Sequence, residues 1–309
     1  MLQVNVLRNN TADVKKRLAI KHFNQPELVD TIIALDDDRK RLQAEFDTIQ
    51  SKVKATSKEI GKLMGQGNKE AAEAAKLDVA NWKAGLEPLK EQMAKVEKQL
   101  LDTIVLLPNL PAAEVPEGCS PEDNIVVREG GDKPNLPAGS VPHWDLIKQY
   151  DMIDFETGAK ITGSGFPLYK GKGAKLQRAL VQYFLDYNTA AGYTEYIPPF
   201  LVNEASAFAT GQLPDKEGQM YHATADNFYL IPTAEVPVTN IYRDTIVRAE
   251  ELPIKMTAYS PCFRREAGSF GKDVRGLNRV HQFDKVEIIQ IVEPEISYMV
   301  LDQMVLHIE

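Results

Sequence analysis

The 309-residue chain has only two cysteines, Cys119 and Cys262, far apart in sequence. That scarcity argues against a disulfide framework and fits a reducing compartment. No apolar run approaches the ~18 residues needed to cross a bilayer. The N-terminus, MLQVNVLRNNTADVKKRL, has no signal-type apolar stretch. A cytoplasmic protein with no membrane partner is expected. Five histidines (His22, His143, His222, His281, His307) are scattered without zinc spacing, so no metal site is visible in the chain. Two glycine clusters also fall short of nucleotide motifs. Gly163-Ser164-Gly165 is followed by Leu168 where a dinucleotide fingerprint needs glycine. Gly171-Lys172-Gly173 lacks both the earlier glycine and the Ser/Thr of a phosphate loop. Both clusters read as turns.

What is present is ordinary in amount: 43% hydrophobic and 26% charged residues, enough for a buried core. The net charge of −8 conceals an asymmetry. Residues 1–107 carry 18 Lys+Arg against 16 Asp+Glu, and residues 108–309 carry 18 against 28. Any RNA contact is therefore expected in the N-terminal part. A solvated helix surface would give the same small excess.

Leu28, Ile32, Leu35, Arg39, Leu42, Phe46, Ile49, Val53, Thr56, Ile60 and Leu63 alternate steps of four and three. Ala72, Ala75, Val79, Trp82, Leu86, Leu89, Met93, Val96, Leu100, Thr103 and Leu107 repeat the pattern. A sustained 3.5-residue period predicts coiled-coil helices. Gly65-Gln66-Gly67-Asn68 breaks the two runs, so an antiparallel hairpin about 54 Å long is expected, projecting as an arm. Pro88, after Gly85, should kink the second helix. On periodicity alone the arm reads as a structural or oligomerisation element.

Residues 108–142 hold seven prolines and read as a connector. From 143 onward the pattern is mixed α/β. A helix is expected over 174–190 and another over Glu235–Arg243, with a helix start at Ile296–Ile308. Strands are expected at Glu195–Leu201, Asn227–Ile231, Lys255–Glu266 and Val280–Val292. The last two, with the basic glycine-rich loop carrying Lys272, Arg275 and Arg279, form a hairpin over Thr257–Val292. Strand alternation puts Arg264 and Glu266 on one face and Arg265 on the other, and gives Phe283, Lys285 and Glu287 a shared face. Such a hairpin offers a guanidinium fork for phosphate or carboxylate and a ring for stacking. From these residues alone, a nucleotide site and a salt-bridged surface hairpin are equally good readings.

Arg-x-Glu, a loop, then Arg-x-His-x-Phe resembles motif 2 of class II aminoacyl-tRNA synthetases. The version CFRREAGSFGKDVRGLNRVHQFDKVE resembles the bacterial-type seryl-tRNA synthetase family in particular. The helical arm, PNLPAAEVPEG, His143-Trp144, Asp154-Phe155, Gly192-Tyr193 through Pro198-Pro199, Thr210-Gly211-Gln212-Leu213-Pro214 and Ile231-Pro232-Thr233-Ala234-Glu235 agree in the same order. The resemblance implies an α+β chain in three parts. Residues 1–107 would be a tRNA-binding coiled-coil arm, 108–142 a connector, and 143–309 a catalytic domain on an antiparallel sheet with flanking helices. It implies ATP-dependent activation of serine, with Mg²⁺, and transfer to serine tRNA. It also implies a homodimer through motif 1 around Pro199.

Residue by residue, the resemblance gives Thr233, Ala234 (through its backbone), Glu235 and Glu287 to serine. Arg264 would bridge the serine carboxylate and the α-phosphate. Glu266 would meet the adenine amino edge, and Phe283 would stack on adenine beside Arg279 and Val280. Arg265, where the family usually has serine, belongs to the same ATP-binding segment. The family pattern continues into a motif 3 that these 309 residues do not contain, so the chain alone is expected not to complete the chemistry. Three rivals stand beside this reading: a ligase charging a carrier protein, a non-catalytic RNA-binding paralogue, and a coiled-coil scaffold.

Overall fold

Heptad seams and short alternating strands organise the chain into two compact units, residues 1–133 and 134–309. The computed structural model describes residues 2–267 and 275–309. Lys272 lies outside the described residues.

The first unit begins with helices α1 (Val4–Asn9) and α2 (Thr11–Ile20), followed by α3 (Leu28–Gly65) and α4 (Lys69–Ile104). All the seam positions read from the heptads are buried or half-buried, and most of the residues between them are exposed. The pairing is antiparallel: Ile32, near the start of α3, shares a core with Ile104 at the end of α4. Gly67 turns the chain between them at φ +77°, and the Asn68 side chain caps α4 by accepting from the Ala71 N–H. Pro88 lies inside α4 without ending it, and the seam residues Leu86 and Leu89 on either side are packed. Helices α1 and α2 had no heptad to announce them. They close the open end of the hairpin by adding Leu7, Val14 and Leu18 to Val29, Ile32, Ile104 and Leu107.

Arg39, the basic residue within the apolar seam, has a specific partner. Asp36 is almost fully buried, and its carboxylate takes Arg8 at 3.0 Å, Arg39 at 2.8 Å and Lys40 at 2.7 Å. Burial alone would raise its pKa. The hydrogen bonds from Lys40, Arg39 and Arg8 outweigh burial and hold it at about 2.

The second unit starts with α5 (His143–Gln149), β1 (Ile153–Asp154), α6 (Phe155–Ile161), β2 (Leu168–Tyr169) and the long α7 (Gly171–Ala190). Then come β3 (Thr194–Tyr196), β4 (Leu201–Asn203), α8 (Glu204–Ala209), β5 (His222–Ala223), β6 (Phe228–Leu230) and α9 (Glu235–Thr239). β7 (Ile254–Phe263), β8 (Gln282–Ile291) and α10 (Ser297–Ile308) complete it. The main sheet has the order β3-β7-β8, with β3 parallel and β8 antiparallel to β7, so it is mixed rather than wholly antiparallel. A second antiparallel sheet has the order β4-β6-β5. The expected Glu195–Leu201 strand divides into β3 and β4, because the intervening Pro198 and Pro199 cannot donate to a ladder. No helix among the described residues is long and apolar enough to cross a membrane.

The Asp36 cluster yields the first prediction. Its pKa is depressed in the folded chain, so its contribution is present above about pH 4 and is lost as pH falls towards 2. Asp36→Asn should lower stability by about 3 kcal/mol at pH 7, measured by urea denaturation of the helical signal. The gap to wild type should close in acid. A gap that stays constant down to pH 2 would disprove the ionic account.

Candidate active site

The ladder between β7 and β8 fixes the floor of the site. Cys262 pairs with Phe283, Ser260 with Lys285 and Ala258 with Glu287, so these six residues share one face. The shared face expected for Phe283, Lys285 and Glu287 is therefore present. Burial pushes the Cys262 thiol up, which leaves it protonated near neutrality. The ionic side chains near this face include Arg264, Glu266, Arg279, Lys285 and Glu287.

Arg264 and Glu266 do not stand on a strand, contrary to the alternation argument. β7 ends at Phe263, whose N–H donates to the Ile231 carbonyl. Arg264 keeps the ladder's register, and the two residues after it leave the strand path. The Arg264 N–H goes to the His281 carbonyl and the Arg265 N–H to the Gln219 carbonyl, while Glu266 takes the left-handed φ of +49°. This path keeps the result that alternation had suggested for another reason. Arg264 and Glu266 line a common cavity, and exposed Arg265 does not. The Arg264 guanidinium lies 5.1 Å from the Phe283 ring centre, and Arg279 bonds the Glu266 carboxylate at 2.9 Å.

The segment Thr233–Glu235 turns into a helix. It is not extended: Ala234 is already helical and Glu235 opens α9. Thr233 and Glu235 therefore do not share a strand face. The Thr233 hydroxyl accepts from the Glu235 N–H at 3.2 Å and donates to the Glu287 carboxylate at 2.7 Å. Lys285 meets the same carboxylate oxygen at 2.6 Å. Ala234 is fully buried among Val238, Met256 and Ala258, and the Glu235 side chain is exposed.

A cavity of about 670 Å³ brings together Thr233, Arg264, Glu266, Arg279, Val280 and Phe283. That lies within the range of small-molecule sites. Glu287 is bonded to the cavity wall through Thr233. Gln212, Gln219 and Asn278 also line the cavity; Gln212 and Asn278 lie in segments singled out in the sequence, and Gln219 does not. The Lys285–Glu287 pair had a readable signal, since two residues of opposite charge stand two apart on one strand. Gln219 had none, because its carbonyl reaches Arg265 through loop geometry.

Two glycines allow close packing beside the hairpin. Gly165, at φ +83°, accepts the His281 N–H, and a Cβ there would sit 2.2 Å from the His281 ring. Gly276, at φ +68°, approaches His143, whose Nε2 accepts the Leu277 N–H at 2.9 Å. His281 stacks on Phe166 at 5.3 Å. Thus Gly165, set aside as part of a nucleotide motif, is needed for close packing behind the hairpin.

Gly165→Ala should cost at least about 2 kcal/mol, from left-handed strain together with the collision at His281. That corresponds to a fall of roughly 4–8 °C in Tm. An unchanged melting temperature would refute the packing role.

Comparison with known proteins places these features in a family context. Residues 1–111 match the seryl-tRNA synthetase N-terminal domain, and residues 220–309 match the tRNA synthetase class II core domain (G, H, P, S and T). The serine–tRNA ligase of Salinibacter ruber is 46% identical over 98% of this chain and 71% of its own length. That of Methylacidiphilum infernorum is 43% identical over 100% of this chain and 73% of its own length. The crystal structure of seryl-tRNA synthetase from Pyrococcus horikoshii complexed with ATP superposes with a TM-score of 0.84 at 28% identity. It covers 99% of this chain and 72% of that one.

Proposed function

Since the chain belongs to the seryl-tRNA synthetase family, we propose that its cavity activates L-serine with ATP, and that the product is passed to the terminal ribose hydroxyl of serine tRNA. In the first step a serine carboxylate oxygen attacks the α-phosphorus of ATP. The bond to the bridging oxygen breaks, and pyrophosphate leaves with its electron pair. In the second, the ribose hydroxyl attacks the adenylate carbonyl, loses its proton, and AMP leaves. No side-chain nucleophile is needed. Catalysis rests on positioning and charge neutralisation.

The observation that carries this reading is the single cavity shared by Thr233, Arg264, Glu266, Arg279, Val280 and Phe283. Arg264 is proposed to bridge the serine carboxylate and the α-phosphate, because a planar fork suits two anionic oxygens. Phe283 would stack the adenine on the ring face away from Arg264. Glu266 would accept from the adenine amino group, with Arg279, Val280 and the neighbouring Arg265 segment flanking the nucleotide. Thr233 and Glu287 would hold the serine ammonium or hydroxyl, with the Ala234 backbone and Glu235 beside them. Such polar partners would reject alanine, which leaves them unsatisfied.

Magnesium is expected to enter with the nucleotide. Among the described residues no cluster of three or more His, Cys, Asp or Glu side chains could hold a metal. Bound with the nucleotide, the ion would help neutralise the phosphate charge. Residues 1–107 are proposed as the tRNA-binding arm, 108–142 as connector and 143–309 as catalytic domain, working in the cytoplasm. A homodimer around Pro199 is supported by exposed Ile197, Phe200 and Leu201 beside it.

Arg264→Ala should reduce serine-dependent ATP–pyrophosphate exchange in the full-length protein at least ~100-fold. Near-normal exchange would refute the assignment. Deleting residues 28–107 should abolish tRNA binding while leaving exchange within a few-fold of normal. Retained tRNA affinity would show that the arm has another purpose.

A further inference from the structure

Behind the site face of the main sheet lies a chain of buried polar groups that the proposed chemistry does not use. Thr257 is on β7, and its side chain points to the opposite face from Ala258 and Glu287. It is fully buried, yet its hydroxyl is doubly satisfied. It donates to the backbone carbonyl of Glu287 at 2.9 Å and accepts from Asn188 Nδ2 at 2.9 Å. Asn188, buried near the C-terminal end of α7, accepts through Oδ1 from His307 Nε2 at 2.7 Å. His307, on α10, stacks on Tyr187 at 4.8 Å and Tyr193 at 5.5 Å. The chain thus runs from α10 through α7 and β7 to the backbone of the residue whose carboxylate meets Thr233 and Lys285.

Core positions are normally filled by apolar side chains, and a buried hydroxyl and amide are tolerated only when bonded. Here each group in the series finds its partner, and the series ends at one backbone atom of the site. We infer that Thr257 and Asn188 are positioning residues for the serine site, fixing the Glu287 backbone from behind the sheet so that its carboxylate is held at Thr233. The inference rests on the proposed contact between Glu287 and serine. Valine at 257 would keep the β-branched shape but lose the hydroxyl. The Glu287 carbonyl would then lose its side-chain donor, and Asn188 Nδ2 would be left without its acceptor. A small shift of the Glu287 backbone would be felt mainly by serine, because the proposed nucleotide contacts come from Arg264, Glu266 and Phe283.

The test uses the full-length protein and steady-state pyrophosphate exchange with serine and ATP varied separately. Thr257→Val should raise the serine KM at least 5-fold, with the ATP KM within 2-fold of wild type. Thr257→Ser, which keeps the hydroxyl, should stay within 2-fold on both. If the valine variant does not fold, Thr257→Ala and Thr257→Ser form a matched pair: both lose the methyl group, and only alanine should raise the serine KM. Glu287→Gln separates the two levels of inference. If it raises the serine KM while no Thr257 variant does, the positioning role is overturned and the serine contact stands. If it leaves the serine KM unchanged, the serine contact fails and the positioning role fails with it. Equal losses in Thr257→Ser and Thr257→Ala, or a fall in kcat alone, would mark Thr257 as merely structural and overturn the proposal.

Discussion

The ten-residue antiparallel ladder between β7 and β8 is the constraint on which the rest of the second unit depends. Strand pairing has a period of two, so a slip of one residue would send every side chain to the other face. In this register Phe283, Lys285 and Glu287 stand over Cys262, Ser260 and Ala258, while Thr257 turns back towards α7. The small residues at 258, 260 and 262 leave room above the sheet for the larger ones opposite. The bonded polar chain behind the sheet would be broken by the same slip. Register, cavity and rear support are therefore one structural decision.

Where the ladder stops, a different logic begins. Arg264 still bonds its register partner His281, while Arg265 and Glu266 are turned by separate backbone features, a bond to Gln219 and a left-handed φ. A strand would have delivered the same alternation of side chains, but with no means of bending Glu266 back towards Arg279. Binding groups on irregular backbone held by a rigid sheet can be aimed without disturbing the core. The supports for this bend come from Gly165, Phe166 and His143, far away in sequence.

That distinction explains what the sequence disclosed. The arm was legible almost residue by residue, because a heptad is a local code and every seam position it named is at least half-buried. Helices α1 and α2 were not, since six- and ten-residue segments give too few turns for a period to emerge. The β7–β8 pairing was visible in apolar and alternating runs around a basic loop. The turn at Thr233–Glu235 was not. A hydroxyl that accepts from a helix-opening N–H and donates across to Glu287 depends on a residue 54 positions away. Motif spacing picked out residues that share one cavity, whereas their conformations depend on tertiary partners that spacing cannot express.

The Glu287 carboxylate shows why those partners matter. One of its oxygens receives both the Thr233 hydroxyl and the Lys285 ammonium, within 2.7 Å and 2.6 Å. Charge-assisted bonds of this kind fix a carboxylate's direction. An amino acid differs from its close analogues by a hydroxyl or a methyl group, and a site can reject the wrong one strongly only if its polar groups cannot move to satisfy themselves otherwise. A carboxylate on a flexible strand could swing away from Thr233 and tolerate alanine. One held from the front by Thr233 and anchored behind by Thr257 has much less freedom to do so. On this view selectivity comes less from the contact residues themselves than from the buried hydroxyl and amide that deny one of them an alternative position.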